Sequence, residues 1–568
     1  MPDQRSFASD AAATVTADRG QVAHRDHVAQ SAVLARRFDA PAPGVWCLVG
    51  NGLSNQTFID APDGIIAIDT GESTEEMREA ITELRAVTDR PIVAVLYTHF
   101  HYVAGTAAVF DDGASPDIPI WAHERVAPNR ARTASAISPA YGRGLVEQFA
   151  LMLPDEGPDG RVNVGLGHFY RNPAHAPFTN GYVPATHTVD GDATIEVGGL
   201  TVEVTHAPSD ADDSVTYWFP SLGVAVNNLV WPALFNVFAI RGEEYRDPRI
   251  LLRGLDHLLS LGAEHLVGAH GPPLSGAAEI ESRVTKYRDA IQFLWDQAVR
   301  HTNRGATSPD LGHAVTLPEA CADDYLTAER YGVAEHHVRQ IRSGLFGWFD
   351  GDEAALFPLP SEVRARRMID GFGGAVRVRE QARAALDGDD VRWAIELATW
   401  LVRAGGDDAD RALLAAALRT VAQRTPAANI RNWCLTRALS LEGAVDASRL
   451  YRHRFSRRQI LSAAPAESIH ILRVLLDPDV AGGLDVHLGW RFDDGATAGL
   501  HLRNSIACPT DGSGAAPTIA CTLETWADVL TGARALSAAI EAGDIAVDGD
   551  AAVVTGALAV FDVEGLRT

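Results

Sequence analysis

Apolar and polar positions follow two different periods along this chain. Over the first 300 residues, short apolar runs at 45–49, 56–60 and 64–69 are separated by turn residues and predict successive strands. Residues 73–87 switch to helical spacing, with Met77, Ile81 and Leu84 at i, i+4 and i+7 and Ser73 placed as N-cap. The mostly apolar run 91–97 predicts a buried strand, and Thr98-His99-Phe100-His101 stands at its C-terminal end. Strand-like runs return at 193–205, 214–219 and 224–230, a helix is predicted over 248–261, and a last strand from His265 ends in His270. This mixture predicts an α/β domain over 31–300, preceded by a polar arm over 1–30.

From Glu279 the period is helical throughout. Segments 279–303, 363–372, 376–386, 393–403, 408–424 and 430–440, punctuated by Gly, Asp and Pro, predict an all-α array over 301–445. Strands come back at 486–492, 498–503 and 518–523, followed by helices at 524–533 and 535–542. A strand at 545–549 and a helix at 551–561 complete an α+β domain over 446–568.

Composition narrows the function. A formal charge of −25 repels phosphate backbones and argues against nucleic acid as a partner. The five cysteines, Cys47, Cys321, Cys434, Cys508 and Cys521, form no C-x-x-C pair, so neither a disulfide framework nor a thiolate zinc site is expected. Neither a signal-peptide apolar segment nor a membrane-length apolar run is present, and the expectation is a cytoplasmic protein without stable membrane insertion.

The candidate chemistry gathers at strand ends. His99 and His101, at i and i+2, point to the same side of an extended segment, where one cation can take both. Asp210 and His270 follow later strands in the same way. Imidazole suits zinc, iron, copper and nickel alike, so the pair does not choose the metal.

These motifs resemble the alkylsulfatase branch of the metallo-β-lactamase superfamily. The resemblance is carried by Leu96-Tyr97-Thr98-His99-Phe100-His101, by Arg241-Gly242-Glu243-Glu244-Tyr245-Arg246-Asp247, and by the stretch from Leu266 through His270-Gly271-Pro272-Pro273. Gly347-Trp348-Phe349-Asp350-Gly351 also fits. It implies a metallo-β-lactamase αββα sandwich, a helical dimerisation domain forming a homodimer, and a C-terminal domain similar to sterol carrier proteins. It also implies hydrolysis of alkyl sulfate esters at two zinc ions.

The chain departs from that pattern at the second ion. The family motif H-x-H-x-D-H reads His99-Phe100-His101-Tyr102-Val103-Ala104, and the bridging acid falls at Asn228. By resemblance the first ion keeps His99, His101 and Asp210, with His206 competing as the third ligand, while the second keeps only His270, short of the roughly three donors that hold a divalent ion. One divalent metal per chain, Zn2+ or Fe2+, is therefore expected. Arg241 takes the place of a sulfate-binding Arg of the family and Asn236 matches a nearby Asn; with Asn228 they are expected on the substrate side, where Val103 and Ala104 leave an apolar space beside the metal. The expected function is hydrolysis of a sulfate-type ester of an apolar or amphiphilic small molecule, with Asp210, His270 and Arg241 as catalytic groups. Two alternatives remain open: a mononuclear Fe(II) oxygen-activating enzyme using two His and one carboxylate, and a non-catalytic protein binding a lipid-like ligand.

Overall fold

The structure is a computed structural model and describes residues 6–567. It divides into two compact units, one comprising residues up to Arg130 with Tyr141–Ala447, the other Ala131–Ala140 with the residues from Ser448 on.

The first unit is built on two sheets. One has seven strands in sequence order, from Arg37–Ala42 through Val45–Val49, Gln56–Ala61 and Gly64–Ile68 to Ile92–Leu96, Ile120–His123 and His187–Val189. The pairs up to Gly64–Ile68 are antiparallel, and the later ones are parallel. The other sheet runs Ala193–Val197, Leu200–His206, Val215–Phe219, Val224–Asn227, His265–Gly268 and Leu274–Ser275. Their inner faces meet through Ile59, Ile66 and Leu96 from one and Val204, Tyr217, Val226 and Val267 from the other. The helix Thr74–Arg85 covers the first sheet with Met77, Ile81 and Leu84, and Ser73 caps it by accepting from the Glu76 N–H. The helix Pro248–Ser260 covers the second with Leu251, Leu255 and Leu258. This is the expected αββα sandwich.

Cross-sheet hydrogen bonds bring the strand ends together. The Val215 N–H donates to the Thr98 carbonyl at 2.9 Å, and the Tyr217 hydroxyl donates to the Tyr97 carbonyl at 2.9 Å. At the same edge the Asn55 N–H reaches the Ala269 carbonyl at 2.8 Å. His99, Asn228 and His270 thus emerge beside one another although they come from two sheets.

The polar arm is ordered over its described part: Thr14–Thr16 pairs antiparallel with Val22–His24, and the helix Arg25–Val33 follows. The helical region begins inside the long helix Ala277–Thr302, which runs across residue 300 without a break. It continues through Ser361–Gly371, Ala375–Asp387, Val391–Arg403, Asp408–Arg424 and Ala428–Leu441. In the second unit a five-stranded sheet is ordered Ile506–Thr510, Thr497–Arg503, Val486–Phe492, Thr518–Cys521, Ala546–Asp548. Its core joins Trp490, Leu500 and Ile519 to Trp526 and Val554 on helices. The strand Ile506–Thr510 lies outside the expected set because its alternation is interrupted by Cys508 and Pro509.

Candidate metal centre

His99, His101 and Asp210 each present one ligand atom, and these atoms all lie within 4.8 Å of one another; it is the single such group among the described residues. His99 ends the strand segment after Ile92–Leu96, and a short 3-10 turn, Phe100–Tyr102, carries His101. Asp210 lies on the loop after Leu200–His206. Asp210 Oδ2 is 3.1 Å from His101 Nδ1, and Oδ1 is 3.7 Å from His99 Nε2. His101 Nδ1 is nonetheless a buried nitrogen for which the geometry gives no well-aligned hydrogen bond among the described residues. Two imidazoles and a carboxylate grouped in this way offer three ligand atoms to one cation, so the donor set fits a divalent metal.

A relay of hydrogen bonds fixes His99. The Thr98 hydroxyl donates to Asp69 Oδ2 at 2.6 Å, and the Thr98 N–H donates to Asp69 Oδ1 at 2.8 Å. Its only hydrogen being used, the hydroxyl oxygen accepts from His99 Nδ1 at 2.8 Å, which leaves Nε2 as the lone-pair nitrogen, facing Asp210 with the Asn228 amide nitrogen 3.3 Å away. Burial pushes the His99 imidazole down to about 3 and the Asp69 carboxyl up to about 7. Burial works to raise Asp210 as well, but His99 and His101 beside it hold its carboxyl well below the usual range.

Asn228 and Arg246 hold Asp210 from two sides. The Asn228 amide donates to Asp210 Oδ1 at 2.5 Å, and the Trp231 indole N–H donates to Asn228 Oδ1 at 3.0 Å, which orients that amide. Arg246 donates through Nε to the Asp210 carbonyl at 3.3 Å and through Nη1 to the Asn236 carbonyl at 2.6 Å. Tyr141 places its hydroxyl 3.3 Å from His101 Nε2. Arg246, Tyr141, Thr98 and Asp69 were not among the expected site residues. Arg246 lies within a motif that carried the resemblance, but nothing in that motif marks which of its polar groups turns inward.

Other expectations are placed as follows. His206 is not in the ligand group: its Nε2 lies 2.7 Å from the Asp212 carbonyl and its ring stacks on His123 at 4.4 Å. His270 also lies outside the group, buried, with Nδ1 2.9 Å from the Leu53 carbonyl. Arg241 is paired with Glu243 at 2.8 Å, both side chains buried, so its charge is already met within the chain. Asn236 is 1% exposed, and neither of its side-chain polar atoms has a hydrogen-bond partner among the described residues. The apolar space expected beside the metal is not open. Val103 packs with Tyr97, Phe100 and Met77 in the core outside the first sheet, because its backbone bridges Gly71 and turns the side chain away. Ala104 is also buried, and its N–H donates to the Gly71 carbonyl at 3.0 Å. Nearby, Asp213 is fully buried, whereas Asp212 meets Arg125 and Asn129 at 2.9 and 2.7 Å.

Comparison with known proteins agrees with this geometry along the chain. Residues 49–226 match the metallo-beta-lactamase superfamily, 307–444 the alkyl sulfatase dimerisation region, and 456–564 the alkyl sulfatase C-terminal region. A linear primary-alkylsulfatase of Pseudomonas sp. (strain ATCC 19151) is 33% identical over 526 residues, covering 89% of this chain and 98% of that one. An (R)-specific secondary-alkylsulfatase of Pseudomonas sp. is 28% identical, covering 92% and 80%. The solved structure of the stereoselective inverting sec-alkylsulfatase Pisa1 from Pseudomonas sp. superposes with a TM-score of 0.84 at 25% identity, covering 95% of this chain and 87% of that one. A two-sheet sandwich with its donors at one edge, a helical region and a C-terminal α+β unit, matched in that order over nearly the whole chain, make this protein a member of the alkylsulfatase family of the metallo-β-lactamase superfamily.

Proposed function

We propose that the chain hydrolyses sulfate esters of an alkyl or otherwise apolar molecule, using one divalent cation held by His99, His101 and Asp210. The observation that carries the proposal is the convergence of these three side chains, whose ligand atoms all lie within 4.8 Å of one another. The relatives that match over most of the chain are named alkylsulfatases, which supports the substrate class. A bound divalent cation supplies a Lewis acid and lowers the pKa of a coordinated water. The overall change is R–O–SO3⁻ plus water giving R–OH and HSO4⁻.

The remaining work falls to protein groups. The Asp69–Thr98 relay keeps the proton of His99 on Nδ1, so Nε2 faces the site. Asn228 holds Asp210 Oδ1, and Arg246 ties the Asp210 backbone to that of Asn236. The unpartnered Asn236 amide is a candidate for the sulfate end. So is His337: its Nδ1 accepts from the Phe238 N–H at 3.2 Å, so Nε2 carries a proton, and that nitrogen has no partner among the described residues. Both Asn236 Oδ1 and His337 Nε2 lie within 3.0 Å of the point a side chain at Gly332 would fill, a position that glycine leaves clear. Arg241, engaged with Glu243, is the less available anion partner.

A homodimer through the helical region belongs to the same proposal. It is supported by the match to the alkyl sulfatase dimerisation region and by the apolar side chains exposed there, Trp348 at 68% and Phe357 at 88%. Among the described residues no helix is long and apolar enough to cross a membrane.

The test is sulfate release from a medium-chain alkyl sulfate in the absence of O2, with zinc, iron and manganese measured per chain. Release by the native protein and none by His99→Ala is the expected result. Substrate-dependent O2 uptake without sulfate, together with one iron per chain, would replace this reading with the oxygen-activating one, which two His and one carboxylate also suit.

A further inference from the structure

His270 is the one ligand of the second cation position that the family resemblance retains, and a side chain already faces its free nitrogen. His270 Nδ1 lies 2.9 Å from the Leu53 carbonyl, which accepts and cannot donate, so the proton is on Nδ1 and Nε2 holds the lone pair. The Tyr102 hydroxyl lies 3.4 Å from that Nε2. The Tyr102 ring stands edge-on to His270 at 5.2 Å and edge-on to His99 at 5.0 Å, so the phenol is wedged between the two histidines. Trp231 closes a further side of His270 at 5.7 Å. The wedge is anchored by its backbone. The Tyr102 carbonyl accepts from the Thr70 N–H at 2.8 Å, Val103 bridges Gly71, and both Tyr102 and His270 are almost wholly buried.

We infer that the Tyr102 side chain takes the place of the second cation, so that this chain is closed to a second metal by an occupying group as well as by missing ligands. The inference rests on the one-cation reading above and deepens it. An imidazole nitrogen has one lone pair, and a hydroxyl donating to it leaves none for a metal. His270 and Tyr102 together also fall short of the roughly three protein donors that hold a divalent ion. Replacing Val103 and Ala104 by the family's Asp and His is therefore not sufficient to restore two metals, because the phenol still stands against His270.

The experiment is elemental analysis after dialysis against zinc, with circular dichroism as the check on folding. Three proteins are compared: the native chain, Ala104→His, and Tyr102→Ser/Ala104→His, with Val103 kept because its side chain packs in the core outside the first sheet. One, one and two zinc ions per chain are expected, the second held more weakly than the first. Two ions in Ala104→His would overturn the inference while leaving the one-cation reading intact, and so would one ion in a folded Tyr102→Ser/Ala104→His. Two ions in the native chain would overturn both, as expected if Tyr102 were itself a ligand. None in the native chain would remove the His99, His101 and Asp210 assignment instead.

Discussion

The Asn228 amide donates to Asp210 Oδ1 at 2.5 Å, at the position where the resembling family carries a bridging acid. In the one-cation reading proposed above, an amide there fixes the carboxylate without adding the negative charge that a second cation would offset. Asn228→Ala is expected to weaken binding of the single metal by about 10–100-fold, the usual cost of removing a group that orients a ligand. Asn228→Asp is expected to weaken it as well, because two carboxylates 2.5 Å apart repel. Zinc titration against a competing chelator measures both, and tighter binding in the Asp variant would show that position 228 still serves a second ion.

The Asp69–Thr98–His99 relay makes a separate prediction. Thr98→Val keeps the shape but removes the oxygen that receives the His99 Nδ1 proton at 2.8 Å. The imidazole can then protonate on Nε2, the nitrogen that faces Asp210. Metal affinity is expected to fall by about 10–100-fold, with Thr98→Ser restoring most of it. Equal loss in the Val and Ser variants would mean that packing at position 98, rather than the tautomer of His99, is what the site requires.

Much of the fold was legible because its periods are strong. The helix Asp408–Arg424 and the strand Val486–Phe492 fall where periodicity places them, and Ser73 caps its helix as expected. Elements without a strong period were not foreseen, such as the edge strand His187–Val189 and the helix Ala334–Phe346 with its buried Glu335, His337 and Arg342. The site followed the same division. His99, His101 and Asp210 could be proposed because ligand types stood at strand ends, and the geometry groups those three. Tyr102 could not, since an aromatic residue in that stretch reads as core, and only the fold turns its hydroxyl onto His270. Arg241 carried the resemblance, yet its partner Glu243 lies two residues away and was one of several acids it could have met.

Stability is expected to depend on pH through Glu76. This carboxyl is 2% exposed, and burial pushes it up to about 8, against which hydrogen bonds from the Glu72 N–H at 3.2 Å and the Gln56 amide at 2.8 Å work only in part. Burial raises neighbouring Glu72 too, and the two carboxyls repel when both are charged. A folded-state value above the unfolded one means the folded chain binds the proton more tightly. The resulting stabilisation is whole below the unfolded value of 4.5 and is lost as pH rises through about 8. Glu76→Gln has no proton to lose at this position. The Tm of the native protein relative to Glu76→Gln is therefore expected to fall by on the order of 3–6 °C between pH 5.5 and 8.5. A difference that stays level over that range would show that the Glu76 carboxyl is not held neutral.

The proposed dimer has a specific apolar contact to test. Phe346, Trp348 and Phe357 are 56%, 68% and 88% exposed, within the stretch that matches the alkyl sulfatase dimerisation region. Large side chains left this open on one segment cost solubility unless something covers them, and a second copy is the partner that the matched region names. The formal charge of −25 opposes that association, since two copies of one sign repel over about 8 Å at physiological ionic strength. Apolar burial must outweigh the repulsion, and added salt should strengthen the dimer. Light scattering is expected to give twice the chain mass of 60.8 kDa for the native protein, more firmly at 0.5 M than at about 0.05 M salt. Trp348→Asp/Phe357→Asp removes apolar area and adds like charge at the same spot, and is expected to run at 60.8 kDa with unchanged circular dichroism. A double variant that remains dimeric would place the contact on another face of the helical region, and a native protein monomeric at both salt concentrations would remove the dimer from the proposal.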